Sequence, residues 1–501
     1  MAGVSVCGVR SRFLLPELGA PAPFKNDALA KRRLREKLMH GAAVSFRDPS
    51  GRTLVGPNRV LREVTSDGWQ DLACFLQSPL ARELEAEDAI VSTRIISETE
   101  HLRILEHERI PFPSYPFEWP PGMLAAAGRL TLELAERALP HGLGIKDAAS
   151  NNILFRGPWP VFVDVLSFEK RAPGDPIWLA YSQFVRNFLL PLVAERYFGV
   201  PLKNTFLANR DGIDPEAVYA MAGPIRKLVP PILTLATIPT WLGGVVKPSS
   251  YRTRSVSPER AQYAIRRLYQ TLRKQLENAA NGPPRQSIWT SYEQSSSYTV
   301  PQAIQKRNFV EAVLNRSKPS RVLDVGCNAG VYSLMAAQIG AAVVAIDSDP
   351  AVADMLWKKA RAENADILPL VVDIAQPSPA GGWRNQEHLS FLSRCEKRFD
   401  CVLMLGMIHH LLVSERVPLK SILEFADDLT TEVLILEYVG PDDPMFRHLL
   451  RGRGGLYENL NQQFFEESCA ARFRIVDKRP LADSGRVIYY LRKTHAAARA
   501  C

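Results

Sequence analysis

The chain is 501 residues long, about three times the usual domain length, so two or three domains are expected. With 46% hydrophobic and 23% charged residues it can bury large cores, which excludes a disordered or fibrous chain. Seven cysteines, odd in number and without a CxxC pair, exclude a disulfide scaffold, a zinc ribbon and an iron–sulfur protein; they fit a reducing compartment, and no metal centre is expected.

The formal charge of +9 is uneven: residues 1–299 hold 37 Lys and Arg against 29 Asp and Glu, whereas residues 300–495 hold 24 of each. Attraction to nucleic acid or another anionic partner would therefore lie in the N-terminal part. Its clearest clusters run from Lys31 to Lys37 and from Arg252 to Lys274, and each also reads as a solvated helix face.

Residues 1–40 read as a basic lead-in, in which Arg10 and Arg12 interrupt any signal-peptide apolar run, so a cytoplasmic protein is expected. From Ala42 to Val64, alternating residues and turns at Pro49-Ser50-Gly51 and Gly56-Pro57 predict a small antiparallel sheet. Helices are predicted over Trp69–Glu87, Met123–Leu139, Trp178–Phe198 and Ser257–Asn278. Leu228–Val246 lacks charges and is long enough to cross a bilayer, but Pro230, Pro231 and Pro239 would break backbone hydrogen bonds that lipid cannot replace. It reads instead as a buried, irregular packing segment, with no membrane partner. Asn281-Gly282-Pro283-Pro284 is the best linker. The expected layout is 41–280 as an N-terminal α+β domain that recognises a substrate, 281–300 as linker and 301–495 as an α/β domain with a mostly parallel sheet.

The C-terminal part carries the strongest motif. In RVLDVGCNAG a short apolar strand with an embedded Asp324 runs into Gly326, Asn328 and Gly330 and then a helix. Glycines at such a turn let a ligand approach the backbone, and the helix N-terminus offers free N–H groups. A second strand ends in Asp347, placed to accept ribose hydroxyls, and a third ends in Asp373, placed to reach an adenine amino group. A fourth, FDCVLMLGMIHHLL, and a fifth, EVLILEY, follow. The GxxxG spacing points to a nucleoside cofactor without a pyrophosphate.

These strand ends resemble the class I S-adenosylmethionine (SAM)-dependent methyltransferases. The resemblance implies a Rossmann-like seven-stranded sheet with SAM as cofactor. It places Asp324, Gly326, Asn328 and Gly330 on the methionine side, Asp347 at the ribose, Asp373 and Ile374 at the adenine, and Leu405 in the cofactor lining. His409 and His410 fall where the methyl acceptor is expected; one of them could be a general base, and the bland alternative is a helix cap or packing. Glu437 and Tyr438 are weaker candidates of the same kind, and the aromatic lead-in Trp289–Tyr298 would close over the cofactor.

In the N-terminal part, Asp147 is followed five residues later by Asn152 and twelve after that by Asp164. The run resembles the catalytic half of a protein-kinase-like or aminoglycoside-phosphotransferase-like domain, with Asp147 as base and Asn152 and Asp164 as magnesium ligands. Ile145 stands where that pattern has histidine, Val165-Leu166-Ser167 replaces a glycine-containing DFG, and no phosphate loop is recognisable in residues 40–65. A helical domain in which Asp147 and Asn152 cap turns is the alternative. EWPPGM, KDAASNN, FVDVLSFE and WLAYSQF, taken with the methyltransferase motifs, resemble a bacterial family of nodulation-protein (NoeA-like) SAM-dependent methyltransferases over about residues 40–495. For its nodulation members that resemblance implies modification of a signal or surface glycan. The expected function is methyl transfer from SAM to an O or N atom of a glycan, small metabolite, protein or RNA. The alternatives are a bifunctional protein with an active kinase-like domain and a non-catalytic SAM-binding regulator.

Overall fold

The computed structural model describes residues 44–45, 47–56, 59–98, 102–243, 256–281, 298–450, 457 and 459–494. The basic lead-in, most of the linker and the aromatic lead-in before Tyr298 lie outside these residues. Near the N-terminus, β1 (Val44–Ser45), β2 (Gly51–Val55), β3 (Val60–Thr65), β4 (Thr93–Glu98) and β5 (Leu102–His107) form one antiparallel sheet in the order β1-β2-β3-β5-β4. The β1–β2 turn forms because the Asp48 carboxylate accepts from the Ser50 N–H at 2.8 Å, leaving Gly51 to enter β2. Between β3 and β4 lie α1 (Ser66–Gln77) and α2 (Pro79–Ala86), capped by the Thr65 and Ser78 hydroxyls.

Helix α3 (Pro121–Ala138) has Pro120 and Pro121 at its start and buries most of its circumference, so it is the central post of this half rather than a surface helix. Two short hairpin pairs follow, β6 (Leu143–Ile145) with β9 (Phe168–Lys170) and β7 (Ile153–Arg156) with β8 (Trp159–Phe162). The later helices include α4 (Leu190–Phe198), α5 (Pro215–Met221), α6 (Ile238–Gly243) and α7 (Pro258–Ala280). The exposed face of α7 carries Arg260, Arg266, Arg267 and Lys274. The 228–243 segment departs from the buried reading. Ile232, Leu235, Ala236 and Thr237 face inward, but Leu228, Val229, Trp241 and Leu242 are each more than half exposed, because its short turns present alternate sides to core and solvent.

The C-terminal part opens with α8 (Val300–Ser317), capped by a Thr299–Gln302 capping box. Its sheet comprises β10 (Arg321–Val325), β11 (Ala342–Asp347), β12 (Ile367–Val371), β13 (Phe399–Met404), β14 (Thr430–Val439), β15 (Phe473–Pro480) and β16 (Arg486–Lys493), in the order β12-β11-β10-β13-β14-β16-β15. The first five strands in that order are parallel; β16 pairs antiparallel with both β14 and β15, so it alone runs against the other six. The chain winds outward from β10 to β12, then crosses back to β13 on the other side. Strand order therefore reverses between β10 and β13, and a crevice opens at their carboxyl ends. Helices α9 (Val331–Gln338), α10 (Pro350–Glu363), α11 (Leu419–Leu429) and α12 (Gln462–Ala470) complete this half.

The two halves share a core. Trp357 of α10 donates its indole N–H to the Pro158 carbonyl at 3.0 Å, and the Gly122 N–H of α3 donates to Asp354 at 2.8 Å. Arg394 forms a buried ion pair with Glu118 and donates to the Pro113 carbonyl at 2.5 Å. Its guanidinium also lies 5.0 Å and 4.8 Å from the ring centres of Phe112 and Tyr115. Because this pair is dry, Arg394→Met should strand the Glu118 carboxylate and cost about 3–5 kcal/mol in urea denaturation. The double substitution Arg394→Met with Glu118→Gln should recover part of that loss.

Candidate active site

At the end of β10 the backbone turns left-handed at Gly326 (φ +72°), Asn328 (φ +47°) and Gly330 (φ +75°) before α9 starts. A side chain at Gly326 would collide with Met407, and one at Gly330 with Leu356, so both glycines are required by space as well as by φ. Asp324 points from β10 into the sheet–α9 interface, where the Ser333 hydroxyl donates to it at 2.6 Å. Burial pushes its carboxyl up to about 6, and nearby Asp347 adds to the rise.

Asp347, at the end of β11, accepts the Asn328 N–H at 3.0 Å on one oxygen and the Asp349 N–H at 3.0 Å on the other. Each oxygen keeps a second lone pair, so the carboxylate is locked in orientation and still able to accept two hydroxyls. Burial raises its pKa, and the backbone donors oppose that rise. Asp349 keeps one buried oxygen without a partner beside it. Asp373 follows β12, steadied by the Ala375 N–H at 2.9 Å, with buried Ile374 next to it. This donor and acceptor set, on two adjacent strand ends beside a glycine turn, fits the nucleoside of SAM.

Across the crevice, β13 is followed by Leu405 and Gly406, the latter with φ +70°. His409 is 3% exposed, and its Nδ1 is buried without a hydrogen-bond partner among the described residues. Burial pushes its pKa down to about 3, with His410 and Arg486 adding to the drop; His410, its ring centre 4.2 Å away, is lowered by burial and Arg486. Both imidazoles are therefore neutral.

Beneath Gly406 lies a charge network of which only Glu437 and Tyr298 were singled out in the sequence. Lys306 donates to Glu437 at 2.7 Å and to the Tyr298 hydroxyl at 3.0 Å, and Tyr298 in turn donates to Glu437 at 2.7 Å. Arg486 grips Asp443 through two bonds of 2.7 and 3.1 Å and lies over the Tyr298 ring. A Cβ on Gly406 would sit 3.7 Å from the Tyr298 hydroxyl and 3.8 Å from Glu437. Lys306, Asp443 and Arg486 are scattered over 181 residues of sequence with no motif between them. Tyr438, by contrast, donates to the Leu460 carbonyl at 3.1 Å and is structural.

The N-terminal constellation is also brought together. Asn152 donates to the Asp147 carbonyl at 3.2 Å and to the Ser167 hydroxyl at 3.3 Å, and Ser167 donates to Asp164 at 2.6 Å. Burial raises the Asp147 carboxyl, with Asp164 contributing. Arg62 of β3 forms an ion pair with Asp164, and the guanidinium holds that carboxyl low against the opposing effect of burial. Arg62 was not singled out from the sequence; a charged residue in the middle of a half-buried strand was the available signal. Among the described residues no group of three or more His, Cys, Asp or Glu is arranged to hold a metal ion.

With burial holding the Asp324 carboxyl up at about 6, a ligand that places a positive charge beside it should bind more tightly as pH rises from about 5 to 7, when the carboxyl ionises. Calorimetry with SAM should show that rise in the wild type and a flat profile in Asp324→Asn. Asp347→Ala should weaken S-adenosylhomocysteine binding at least ~10-fold, because two hydrogen bonds to a charged acceptor are lost. Binding unchanged by Asp347→Ala would remove the ribose role.

Residues 298–467 match the family described as methyltransferase domain. The chain is 28% identical over 461 residues to nodulation protein NoeA of Rhizobium meliloti (strain 1021), spanning 89% of this chain and 95% of that protein. Among solved structures, the N-methyltransferase NodS from Bradyrhizobium japonicum WM9 matches 39% of this chain and 97% of its own at 14% identity and a TM-score of 0.29. The bifunctional kinase-methyltransferase WbdD matches 40% of this chain and 41% of its own at 20% identity and a TM-score of 0.30. The family match falls on the sheet whose strand ends carry Asp324, Asp347 and Asp373, and the C-terminal half of the chain is a SAM-dependent methyltransferase domain.

Proposed function

We propose that the chain transfers the methyl group to an O–H or N–H of a saccharide or other small metabolite. Residues 41–280 act as the acceptor-recognition domain and 301–495 as the methyltransferase domain. The observation that carries this reading is His409: a buried imidazole whose Nδ1 has no hydrogen-bond partner among the described residues, beside the β13 turn at the strand-end crevice. SAM supplies an electrophilic methyl group on a positively charged sulfur. Asp347 orients the nucleoside, Asp373 and Ile374 meet the adenine, and Asp324 with the Gly326–Gly330 turn lines the methionine side. The Lys306–Glu437–Tyr298 network holds the floor of the acceptor side rigid. His409 Nδ1 accepts the proton that the acceptor gives up, while positioning and exclusion of water supply most of the acceleration.

The choice of a small acceptor over RNA is supported by the charges themselves. Arg59, Arg62, Arg94, Arg137 and Arg156 of the N-terminal half are each paired with carboxylates, which leaves the exposed face of α7, with Arg260, Arg266, Arg267 and Lys274, as its one described basic face. The relationship to a nodulation protein is consistent with a glycan acceptor. Binding of RNA with a steep salt dependence would overturn this choice.

Because the pKa of His409 is near 3, its proton-accepting form is complete from pH 5 to 8. Methyl transfer into a cell extract from labelled SAM should therefore show no loss on acidification through pH 6.5, where an ordinary histidine protonates. His409→Ala should slow transfer by about 10²–10⁴-fold with S-adenosylhomocysteine affinity unchanged. Transfer at the wild-type rate in that variant would sink the assignment, and SAM binding without transfer to any acceptor would favour a regulator instead.

A second reading, ATP-dependent phosphoryl transfer by the N-terminal half, is favoured by the clustering of Asp147, Asn152 and Asp164. It is opposed by the Arg62 pairing of Asp164. Magnesium-dependent ATP binding that Asp164→Ala abolishes would establish it, and no ATP binding by the folded wild type would remove it.

A further inference from the structure

The junction between the two halves holds two arginines that no carboxylate among the described residues pairs. Helices α3 and α10 lie side by side there: the Gly122 N–H donates to Asp354, and a side chain at Gly122 would run into Trp357. Two turns further along the same faces come Arg129 on α3 and Arg361 on α10. The Arg361 guanidinium lies 4.5 Å from the ring centre of Trp159 and 5.1 Å from that of Trp357. Both indoles are fixed, since Trp159 donates to the Asn364 side chain at 3.2 Å and Trp357 to the Pro158 carbonyl. Trp357 is buried, whereas Trp159 is left 39% exposed.

Contact with the rings uses none of the five N–H donors of a guanidinium. Among the described residues, neither Arg129 nor Arg361 has a hydrogen bond or an ion pair. Burial lowers the pKa of Arg361, and Arg129 lowers it further. Burial also lowers that of Arg129, against an attraction to Glu277 of α7 that stops short of an ion pair. By contrast Arg62, Arg394 and Arg486 each hold a carboxylate where the fold desolvates them. Two partly desolvated like charges side by side cost free energy until an anion enters between them. A carboxylate answers one guanidinium, but a phosphate dianion has the charge and the oxygens to answer two. The exposed ring of Trp159 offers an apolar face to whatever the phosphate is attached to.

We propose that Arg129 and Arg361 bind the phosphate group of a phosphorylated small metabolite, or phosphate itself, at the junction of the two halves. The site is separate from the cofactor crevice. Asp347 and Asp349 stand at the start of α10, whereas Arg361 lies in its last turn, roughly 17 Å further along the axis. A phosphate bound there is held by one side chain from each half and so bridges them.

Equilibrium dialysis of the full chain against labelled inorganic phosphate, at a fixed ionic strength of about 0.1 M, tests the proposal. The wild type should bind phosphate saturably at one site per chain. Arg129→Gln with Arg361→Gln should weaken binding at least ~10-fold, because charged hydrogen bonds are lost, while keeping the thermal shift with S-adenosylhomocysteine that reports an intact fold. Arg361→Lys keeps the charge and the stem but not the fork; it should weaken binding several-fold and serves as the test if the double variant does not fold. Glucose 1-phosphate that binds more tightly than inorganic phosphate, and loses that margin in Trp159→Ala, would assign the site to a phosphorylated metabolite; equal binding would assign it to the free ion. No saturable binding by the wild type, or binding undiminished in the folded arginine variants, would overturn the proposal.

Discussion

A parallel sheet has to be covered on both faces, and the architecture of this protein follows from how that is done. Alternate residues of β10, β11 and β12 divide between two cores. Val322, Val343 and Ile367 pack in one, while Leu323, Val325, Val344, Ile346, Leu368 and Leu370 belong to the other, which continues without a break into Trp119, Phe155 and the helices of the N-terminal half. Removing the N-terminal half would uncover the part of that face that α11 and α12 of the C-terminal half do not cover. The buried Arg394–Glu118 pair and the Trp357–Pro158 bond then set the angle of the junction, since a dry ion pair tolerates little displacement.

The same sheet explains why charged groups can be held so close at its carboxyl edge. Asp324 and Asp347 are desolvated by the strands that carry them, and their charge is managed by hydroxyl and backbone donors, with the Lys306 ammonium adding to the hold on Asp324. On the other side of the crevice, Lys306 and Arg486 are balanced by Glu437 and Asp443, and they depress the basicity of His409. The acid side thus suits a cationic ligand, and the paired side keeps an imidazole neutral. That division is what a site handling a positively charged methyl donor and a neutral acceptor requires.

In the N-terminal half the acid cluster is satisfied internally. Asp164 is matched by Arg62 and Ser167, and Asn152 is committed to Ser167 and the Asp147 backbone. These bonds tie β3 to the segments flanking β7 and β8, so the cluster has a structural consequence whatever else it does. The exposed hairpin at 224–243 is the opposite case, an apolar surface with nothing in the chain's described residues covering it.

Much of the C-terminal site was legible in the sequence because its determinants are local: a glycine turn, and acids that end apolar strands, each within a few residues of the element that positions it. Helix α3 and the small N-terminal sheet were legible for the same reason, periodicity and turn residues acting over short spans. What tertiary structure decided were the pairings between distant residues. Lys306 with Glu437, Arg486 with Asp443, Arg62 with Asp164 and Arg394 with Glu118 join positions 43 to 276 residues apart, and no local pattern announces a partner at that range. Hydropathy also left the 228–243 stretch half resolved, since an uncharged run says that apolar groups are present but not which of them the fold turns outward. The sequence by itself determined the elements and the acids and glycines at the strand ends, because those depend on neighbours along the chain. The junction, the neutral His409 and the exposed hairpin were decided only by folding, because burial and charge pairing depend on neighbours in space.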